Sequence, residues 1–588
     1  MAVITRSPRD PERPSRSAPG GDRYKWTVLS NTTLGMFMAT LDASIVLISL
    51  PAIFRGINLD PLAPANVSYL LWLLMGYMVV TAVLVVTFGK LGDMFGRVRM
   101  YNGGFAVFTV ASIALSLTPG HGASAAMFMI IMRVVQGVGG ALLMANSTAI
   151  LTDAFPVDQR GTALGISMIA GIAGSFIGLV LGGVLADINW RLVFWVNVPF
   201  GVFGTIWAYL KLKEISLPHR GKLDVWGNVT FGVGLVLVLI GITYGIQPYK
   251  HQTMGWTGPW VSLELLAGTA LLILFVFIEL RAEDPMFNLH LFRIRAFAAG
   301  NAANLISAIG RGGVQFILIL WLQGIWLPEH GYSFEKTPLW AGIYMLPITA
   351  GFLLSAPISG FLSDKYGARK FATGGMFLGA ASFVMLMMLP ANFSYSEFAF
   401  ILLLNGIAFG LFAAPNTTAI MNSVPERDRG AASGMSATFR NSGMVLSIGL
   451  FFSLMIVGLA SSLPHTLYSG LTAQGLDTKS ATAISHLPPV ALLFAAFLGY
   501  NPMKTLLGPK LSSLSASAQA NVTGRSFFPH LISSPFMHGL RIAFTMSVLM
   551  CLVAAACSFL RGAHARVAEE EHLSFEAAEA VAEEVATA

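Results

Sequence analysis

Asp42 is the only charged residue in a long segment, residues 26–51. An ionised carboxylate at the centre of an apolar helix costs about 3 kcal/mol, so its side chain is expected to face a partner or a water-filled cavity. Desolvation favours the protonated form of a carboxyl group, which makes Asp42 a candidate proton carrier. A permanently paired, structural aspartate is the alternative.

Two arginines, Arg133 and Arg311, also fall inside long apolar segments. A guanidinium beside Asp42 would favour the ionised carboxylate and oppose the effect of desolvation, and the sequence leaves the balance open. Polar side chains around the second arginine recur at steps of three and four, which puts them on one face of a helix: Asn301, Asn304, Ser307, Arg311 and Gln315. Such a stripe either joins helices or lines a cavity, and the arginine favours the cavity.

Two arginines against one aspartate predict a positively charged cavity, which favours neutral, zwitterionic or anionic amphiphiles over lipophilic cations. Further aromatic and amide side chains are candidates for broad contact with such a ligand. Together with the stripe residues Asn304, Arg311 and Gln315, the predicted cavity set is Trp72, Tyr77, Asn405, Phe409 and Phe412. Simple packing is the alternative for each aromatic side chain.

The elements that position these residues are apolar. Of 588 residues, 55% are hydrophobic and 11% charged, far from the composition of a soluble domain. A bilayer-spanning helix needs about 20 apolar residues, and the chain offers about fourteen such segments. They lie near 26–51, 66–88, 101–119, 124–147, 161–187, 192–212, 225–246, 258–281, 297–325, 337–362, 371–391, 396–421, 436–461 and 537–560.

The distribution of Lys and Arg among the connections predicts that both termini are cytoplasmic in a bacterial plasma (inner) membrane. Membrane topology then explains the net charge of +7, and nucleic acid is not an expected partner.

Two motifs recur in the same order. GKLGDMFGRVR, residues 89–99, returns as GFLSDKYGARK, residues 360–370, and NSTAILTDAF, from residue 146, returns as NTTAIMNSV, from residue 416. Repetition of two landmarks indicates an internal duplication. Six helices need about 200 residues, which is fewer than the number of residues that separate each motif from its second copy. Two extra spans therefore fit between the halves. The predicted fold is all-α, with fourteen transmembrane helices in a 6+2+6 arrangement of two pseudo-symmetric six-helix halves.

The predicted domain boundaries follow from this arrangement of helices. It consists of a disordered basic tail (1–25), a first half (26–213), a two-helix insertion (214–296), a second half (297–561) and an acidic tail (562–588). The second half includes a long outer loop, 462–536, in which VALLFAAFLGY, residues 490–500, is too short to span a bilayer. We expect an interfacial or re-entrant piece there, and three roles stay open: a cap on the outer mouth, a contact for an envelope partner, or an inert insertion.

Four motifs resemble those of the major facilitator superfamily, in its fourteen-helix drug:proton antiporter branch, and the resemblance covers about residues 26–561. They are LDASIVLISLP (41–51), GKLGDMFGRVR (89–99), RVVQGVGGALL (133–143) and the glycine pattern of residues 165–183. The resemblance identifies a gating loop with Asp93 as a cap for the following helix, a proton-coupling pair, and an antiporter motif in which Leu179 replaces the family's proline. The gating residues are Gly89, Asp93, Gly96, Arg97, Asp364 and Arg369. The proton-coupling residues are Asp42 and Arg133. The antiporter glycines are Gly165, Gly174, Gly178, Gly182 and Gly183.

The resemblance implies a proton-coupled exporter of small amphiphilic molecules or drugs, working by alternating access, with protons, substrate and membrane lipids as its partners and no cofactor or metal. An exporter of a lipid or envelope precursor and, less favoured, a proton-coupled nutrient symporter are the alternatives. No Ser/His/Asp set, metal cluster or phosphate-binding loop is found, so an enzyme is not expected.

Overall fold

The computed structural model describes most of the chain. The described residues are 22–60, 62–156, 159–215, 224–250, 252, 254–282, 285, 287–425, 429–498 and 501–561. Fourteen helices in these ranges are long and apolar enough to cross a membrane, which confirms the predicted all-α fold and each predicted span. Residues 1–21 and 562–588 lie outside the described residues, together with the predictions made for them. Residues 22–25, predicted as part of the disordered tail, instead form the first turn of the first helix.

The helices are numbered in chain order. They are α1 (Asp22–Gly56), α2 (Val67–Phe95), α3 (Arg97–Ser116), α4 (Gly122–Ala154), α5 (Arg160–Ile188), α6 (Leu192–Trp195 and Asn197–Lys211), α7 (Val225–Gly245), α8 (Pro259–Glu279), α9 (Arg295–Trp321, continued to Glu329), α10 (Thr337–Tyr344 and Leu346–Tyr366), α11 (Ala368–Met388), α12 (Tyr395–Asn422), α13 (Arg429–Ala473) and α14 (Phe527–Leu560).

The same helix pairs form twice. In the first half α1 packs on α5, α2 on α4 and α3 on α6, and in the second half α9 packs on α13, α10 on α12 and α11 on α14. Because the number of spans is even, residues 22 and 561 lie at one end of the bundle, here called the terminal end. The opposite end carries the connections 57–66 and 330–336.

Each repeated GxxxD motif forms a hinge of one residue rather than a loop. Gly96, with φ of 104°, joins α2 directly to α3, and Gly367, with φ of 90°, joins α10 to α11. Only glycine adopts this backbone region without strain. The prediction that Asp93 caps α3 is wrong, because Asp93 lies in the last turn of α2. The carboxylate of Glu214 instead accepts the free N–H group of Arg97 at 2.8 Å.

The antiporter glycines let α5 lie directly on α1. A β-carbon at Gly174, Gly178 or Gly182 would come within 2.6, 2.6 and 2.8 Å, respectively, of a backbone carbonyl oxygen of α1. Gly183 faces the other half, since a β-carbon there would lie 2.7 Å from the backbone nitrogen of Leu339 in α10. Around Gly165 there is open space. Four of the five glycines therefore permit close helix packing of the kind found in membranes.

The long outer segment is more ordered and more buried than the sequence predicts. Helix α13 continues to Ala473, and short helices follow at Thr478–Ser485 and Pro489–Phe497, bent by 83° relative to each other. Every residue of Pro489–Phe497 is buried. Its Phe494 ring lies 5.7 Å from that of Phe54 in α1, so a segment of the second half packs against the first. Of the three roles considered, this packing agrees with a cap at the opposite end.

Further contacts join the halves at the opposite end. The Gln323 side-chain amide of α9 donates to the carbonyl oxygen of Ile48 in α1 at 3.2 Å. This hydrogen bond and the Phe54–Phe494 contact join the two halves at the opposite end.

Candidate functional site

A buried polar cluster occupies the centre of the first half. Asp42 of α1 has no exposed surface and forms an ion pair with the guanidinium of Arg133 in α4. Its Oδ1 accepts hydrogen bonds from the Gln136 amide at 2.9 Å and from the Asn197 amide of α6 at 2.7 Å. Gln136 also donates to Ser112 of α3 at 2.9 Å. Three helices thus meet on one carboxylate, and α3 joins the cluster through Gln136.

Arg133 is held as completely as its partner. Its Nε donates to the carbonyl oxygen of Leu73 at 3.2 Å, and its Nη1 donates to Gln136 Oε1 at 2.5 Å. The guanidinium carbon lies 4.6 Å from the ring centroid of Tyr77, whose hydroxyl donates to the Ala39 carbonyl at 3.4 Å. A buried ion pair is tolerated when its remaining polar groups are bonded in this way. The arrangement is compatible with both the proton carrier and the structural pair considered above.

The second half carries a different charge at its centre. The guanidinium carbon of Arg311 in α9 lies 5.0 Å from the ring centroid of Phe352 in α10 and 5.2 Å from that of Phe409 in α12. Among the described residues Arg311 has no ion pair and no hydrogen bond. A cation held only by aromatic faces keeps its hydrogen-bond donors available.

The structure brings only part of the predicted cavity set to Arg311. Phe409 contacts it directly, and Gln315 lies one turn further along α9, half-buried. Asn304 instead joins α9 to α13, since its amide donates to the carbonyl oxygen of Ser436 at 3.0 Å. The alternative that the polar stripe joins helices therefore holds for this residue.

Four of the predicted cavity residues make other contacts. Tyr77 belongs to the Asp42 cluster, where its ring supports Arg133. Asn405, 2% exposed, donates to the hydroxyl of Ser382 in α11 at 2.9 Å. Phe412 is buried where α12 packs on α11, and Trp72 of α2 is half-buried against the main apolar core.

The described contacts of the arginines at the two hinges are of different kinds. In the first half Arg97 Nε contacts Asp93 Oδ1 at 2.7 Å, and Arg97 Nη1 contacts Asp153 of α4 at 2.6 Å. In the second half the guanidinium carbon of Arg369 lies 3.9 Å from the Phe559 ring centroid of α14. The side chain of Asp364 lies outside the described part of the structure. Gly89 lies within α2, three residues before Gly92 of the same motif.

Similarity to known proteins identifies the family. A sequence profile described as Major Facilitator Superfamily matches residues 32–448, more than half of the chain. The chain belongs to the major facilitator superfamily. The riboflavin transporter RibZ of Clostridioides difficile (strain 630) is 30% identical over 437 residues, covering 73% of this chain and 88% of the relative. The tetracenomycin C resistance and export protein of Streptomyces glaucescens is 28% identical over 535 residues, 90% of each chain.

A solved structure shares the superfamily fold. A bacterial homolog of the human lysosomal transporter Spinster, in an inward-facing and unoccupied conformation, matches with a TM-score of 0.55 at 16% identity, covering 92% of this chain and 98% of that chain. At this identity the likeness shows the fold alone. Membership of the superfamily makes this protein a multi-pass membrane transporter and not an enzyme.

Sequence reasoning did not assign four members of these clusters. Gln136, Asn197 and Ser112 complete the Asp42 cluster, and Phe352 forms one side of the Arg311 clamp. A lone Asn between two valines in an apolar segment is a signal that could have identified Asn197, because a buried amide needs partners. Ser112 and Phe352 carry no comparable signal, since serine and phenylalanine are common in superfamily helices.

Proposed function

We propose that this protein is a proton-coupled secondary transporter that exports small amphiphilic molecules, drugs among them, across the bacterial plasma membrane by alternating access, with both termini cytoplasmic. The observation that carries the proposal is the fully buried Asp42, to which α1, α3, α4 and α6 are joined directly or through Gln136. A change of charge on this one carboxylate affects every helix of the cluster. The name of the tetracenomycin C exporter supports the direction of transport.

The coupling we propose uses the ion pair as a two-state element. With Asp42 ionised, the pair is neutral and the cluster is complete. Protonation of Asp42 removes the attraction to Arg133 and leaves a buried positive charge, which is costly unless water or an anionic group reaches it. Proton uptake therefore favours opening of the cluster, and proton release favours its closure.

Arg311 supports the proposed class of substrate. Its guanidinium is held between the Phe352 and Phe409 rings and has no acidic partner among the described residues. A cation with free donors beside aromatic surfaces suits an amphiphile that carries an acidic or neutral polar group. The same charge opposes lipophilic cations, so the substrate preference first predicted from the sequence is retained.

The first test is proton-gradient-driven uptake into everted vesicles of ethidium, Nile red and fluorescein, which are cationic, neutral and anionic dyes. We expect wild-type protein to accumulate the neutral or anionic dye when the vesicle interior is acidic. Asp42→Asn should lose this accumulation. Normal gradient-driven uptake by Asp42→Asn would contradict proton coupling through this residue, and a clear preference for ethidium would contradict the substrate class.

A matched variant separates the proton role from the structural role. Asp42→Asn leaves Arg133 buried without its charged partner, which costs about 3–5 kcal/mol and could by itself abolish transport. The double variant Asp42→Asn/Arg133→Gln removes both charges. If Asp42 carries the proton, the double variant should regain stability and exchange but not gradient-driven uptake. Recovery of gradient-driven uptake would show that the pair is only structural.

Riboflavin uptake is a second candidate, because a relative 30% identical to this chain is named as a riboflavin transporter. Right-side-out vesicles distinguish the two directions. Riboflavin that enters them with protons, together with no dye accumulation in everted vesicles, would replace export by a nutrient symport.

A further inference from the structure

Two carboxyl groups face each other where the inserted helices α7 and α8 meet at the terminal end. Asp224 precedes α7, and its Oδ1 accepts the backbone N–H of Gly227 at 2.7 Å, as a helix N-cap does. Glu279 is the last residue of α8 and is 3% exposed. Its Oε2 accepts the backbone N–H of Phe287 at 3.0 Å. Each carboxyl group thus has one oxygen that accepts a hydrogen bond from a backbone N–H group.

The second oxygen of each group has no donor among the described residues. Asp224 Oδ2 and Glu279 Oε1 are both buried, and both lie beside the α-carbon of Gly227, where a β-carbon would come within 2.7 Å of Glu279 Oε1. The two side chains are within hydrogen-bonding reach of each other. Ionised carboxylates only accept hydrogen bonds, so the two oxygens can bond only when one of them carries a proton.

We propose that Asp224 and Glu279 hold one proton between them as an O–H···O⁻ pair, a proton-binding site in the two-helix insert that is separate from Asp42. Release of this proton to water ionises both groups and changes the charge of the pair from −1 to −2. The two like charges then repel across a buried contact, and the hydrogen bond between α7 and α8 is lost.

The surroundings supply a positive charge that compensates the charge of the pair and a cavity that reaches Asp224. Lys90 of α2 interacts electrostatically with Glu279 and offsets the single negative charge of the protonated pair. Asp224 and the cationic Arg281 line an open cavity of about 370 Å³ at the terminal end, through which the proposed proton would exchange with water. The described elements packed on Phe287 contribute aromatic rings rather than charges, from Phe231, Phe275 and Phe439.

The proton matters because the insert touches both halves. Thr87 of α2 is hydrogen-bonded to Asn228 of α7, in the first turn after Asp224. On the other side the Phe287 ring lies 5.7 Å from that of Phe439 in α13. Since Glu279 fixes the backbone of Phe287, repulsion within the pair displaces the ring that packs on α13. The shared proton therefore stabilises the packing of the two-helix insertion against the second half.

The test uses full-length protein in detergent and needs no transport assay, so its failure and the failure of the export proposal are distinguishable. Thermal unfolding and the infrared band of protonated carboxyl groups are followed from mildly acidic to mildly alkaline pH. A group that holds its proton more strongly when folded contributes stability at low pH that is lost as pH rises. We expect the midpoint temperature of wild-type thermal unfolding to fall by about 2 °C over this pH range, because the pair loses its proton.

Glu279→Gln keeps a permanent donor toward Asp224 and an acceptor for Phe287, so this fall and one protonated-carboxyl band should both disappear. Asp224→Asn, which keeps the N-cap acceptor, should do the same and serves if the first variant folds poorly. Glu397→Gln is the control, because Glu397 is exposed in the first turn of α12, at the opposite end of the bundle from the pair, and its removal should leave the profile unchanged. A Glu279→Gln profile and carboxyl band identical to those of wild type would overturn the proposal.

Discussion

The two halves share the same pairing of helices, but the charged side chains at their centres differ in their partners. In the first half the carboxylate of Asp42 neutralises Arg133, and both are enclosed. In the second half the Arg311 guanidinium lies against the rings of Phe352 and Phe409 and has no ion pair among the described residues. Duplication has preserved the pairing of helices while the charges have diverged. The comparison suggests a division of labour in which the first half responds to protons and the second half contacts the substrate.

The two hinges share their backbone geometry, but the described contacts of their arginines differ. Both consist of one glycine with positive φ, Gly96 and Gly367, because the backbone path requires it. The partners bonded to the Arg97 side chain, Asp93 and Asp153, belong to the first half, so in this conformation they brace that half rather than lock the two halves together. The gating role inferred from the family remains a prediction that other conformations would test.

The largest expected effect comes from removing one charge in each half. Arg133→Met leaves the Asp42 carboxylate buried without its cation, which should lower the free energy of unfolding by about 3–5 kcal/mol. Arg311→Met removes a cation that has no ionic partner among the described residues, so stability should stay the same or rise. Thermal unfolding of the two purified variants measures the difference. Equal losses in both halves would contradict the contrast between a paired and an unpaired charge.

An intermediate effect concerns the small residues between paired helices. In the first half Gly178 of α5 faces the Leu41 carbonyl of α1. In the second half both helices of the pair carry such a glycine, since Gly313 of α9 faces the Ser447 carbonyl of α13 and Gly443 of α13 faces the Leu305 carbonyl of α9. Gly178→Ala and Gly313→Ala should each lower the free energy of unfolding by about 1–3 kcal/mol, because a methyl group would push against backbone. Denaturant unfolding in detergent measures both.

Gly165 provides the matched control. It belongs to the same antiporter motif as Gly178 but has open space around it. Gly165→Ala should be neutral or stabilise the helix by up to about 1 kcal/mol, because alanine favours a helix over glycine. A loss at Gly165 as large as that at Gly178 would mean that the motif acts through flexibility and not through close packing.

Much of the fold could be predicted from the sequence because membrane helices are defined by local composition. Runs of apolar residues, the repeated motifs and the glycine spacing are all visible along the chain. The segment after residue 461 was predicted least well, since its short helices depend on distant partners such as Phe54. Length alone excludes a full span for Pro489–Phe497 but says nothing about what buries it.

The candidate site shows the same limit. Asp42 and Arg133 could be identified because charge in an apolar segment demands a partner, and the structure supplies one. Tyr77 was assigned to the cavity by residue type, yet its ring packs under Arg133. Aromatic residues are common in both packing and binding, so only the three-dimensional neighbours separate the two roles.

The smallest expected effect compares the two hinges. Arg97 is 22% exposed and Asp153 24% exposed, so their ion pair is partly screened and should contribute about 1 kcal/mol. Arg369 stacks on the ring of Phe559 and should contribute about 0.5 kcal/mol. The coupling energies are measured by two double-mutant cycles, one with Arg97→Gln and Asp153→Asn and one with Arg369→Gln and Phe559→Leu, each from thermal unfolding.

Salt separates the two mechanisms even where the energies are close. Raising the ionic strength should reduce the Arg97–Asp153 coupling, because mobile ions screen partly exposed charges. The Arg369–Phe559 coupling depends on short-range contact between a guanidinium and a ring, so it should change less. If both couplings fell equally with salt, the second hinge would also depend on an ion pair, and the two hinges would not differ in mechanism.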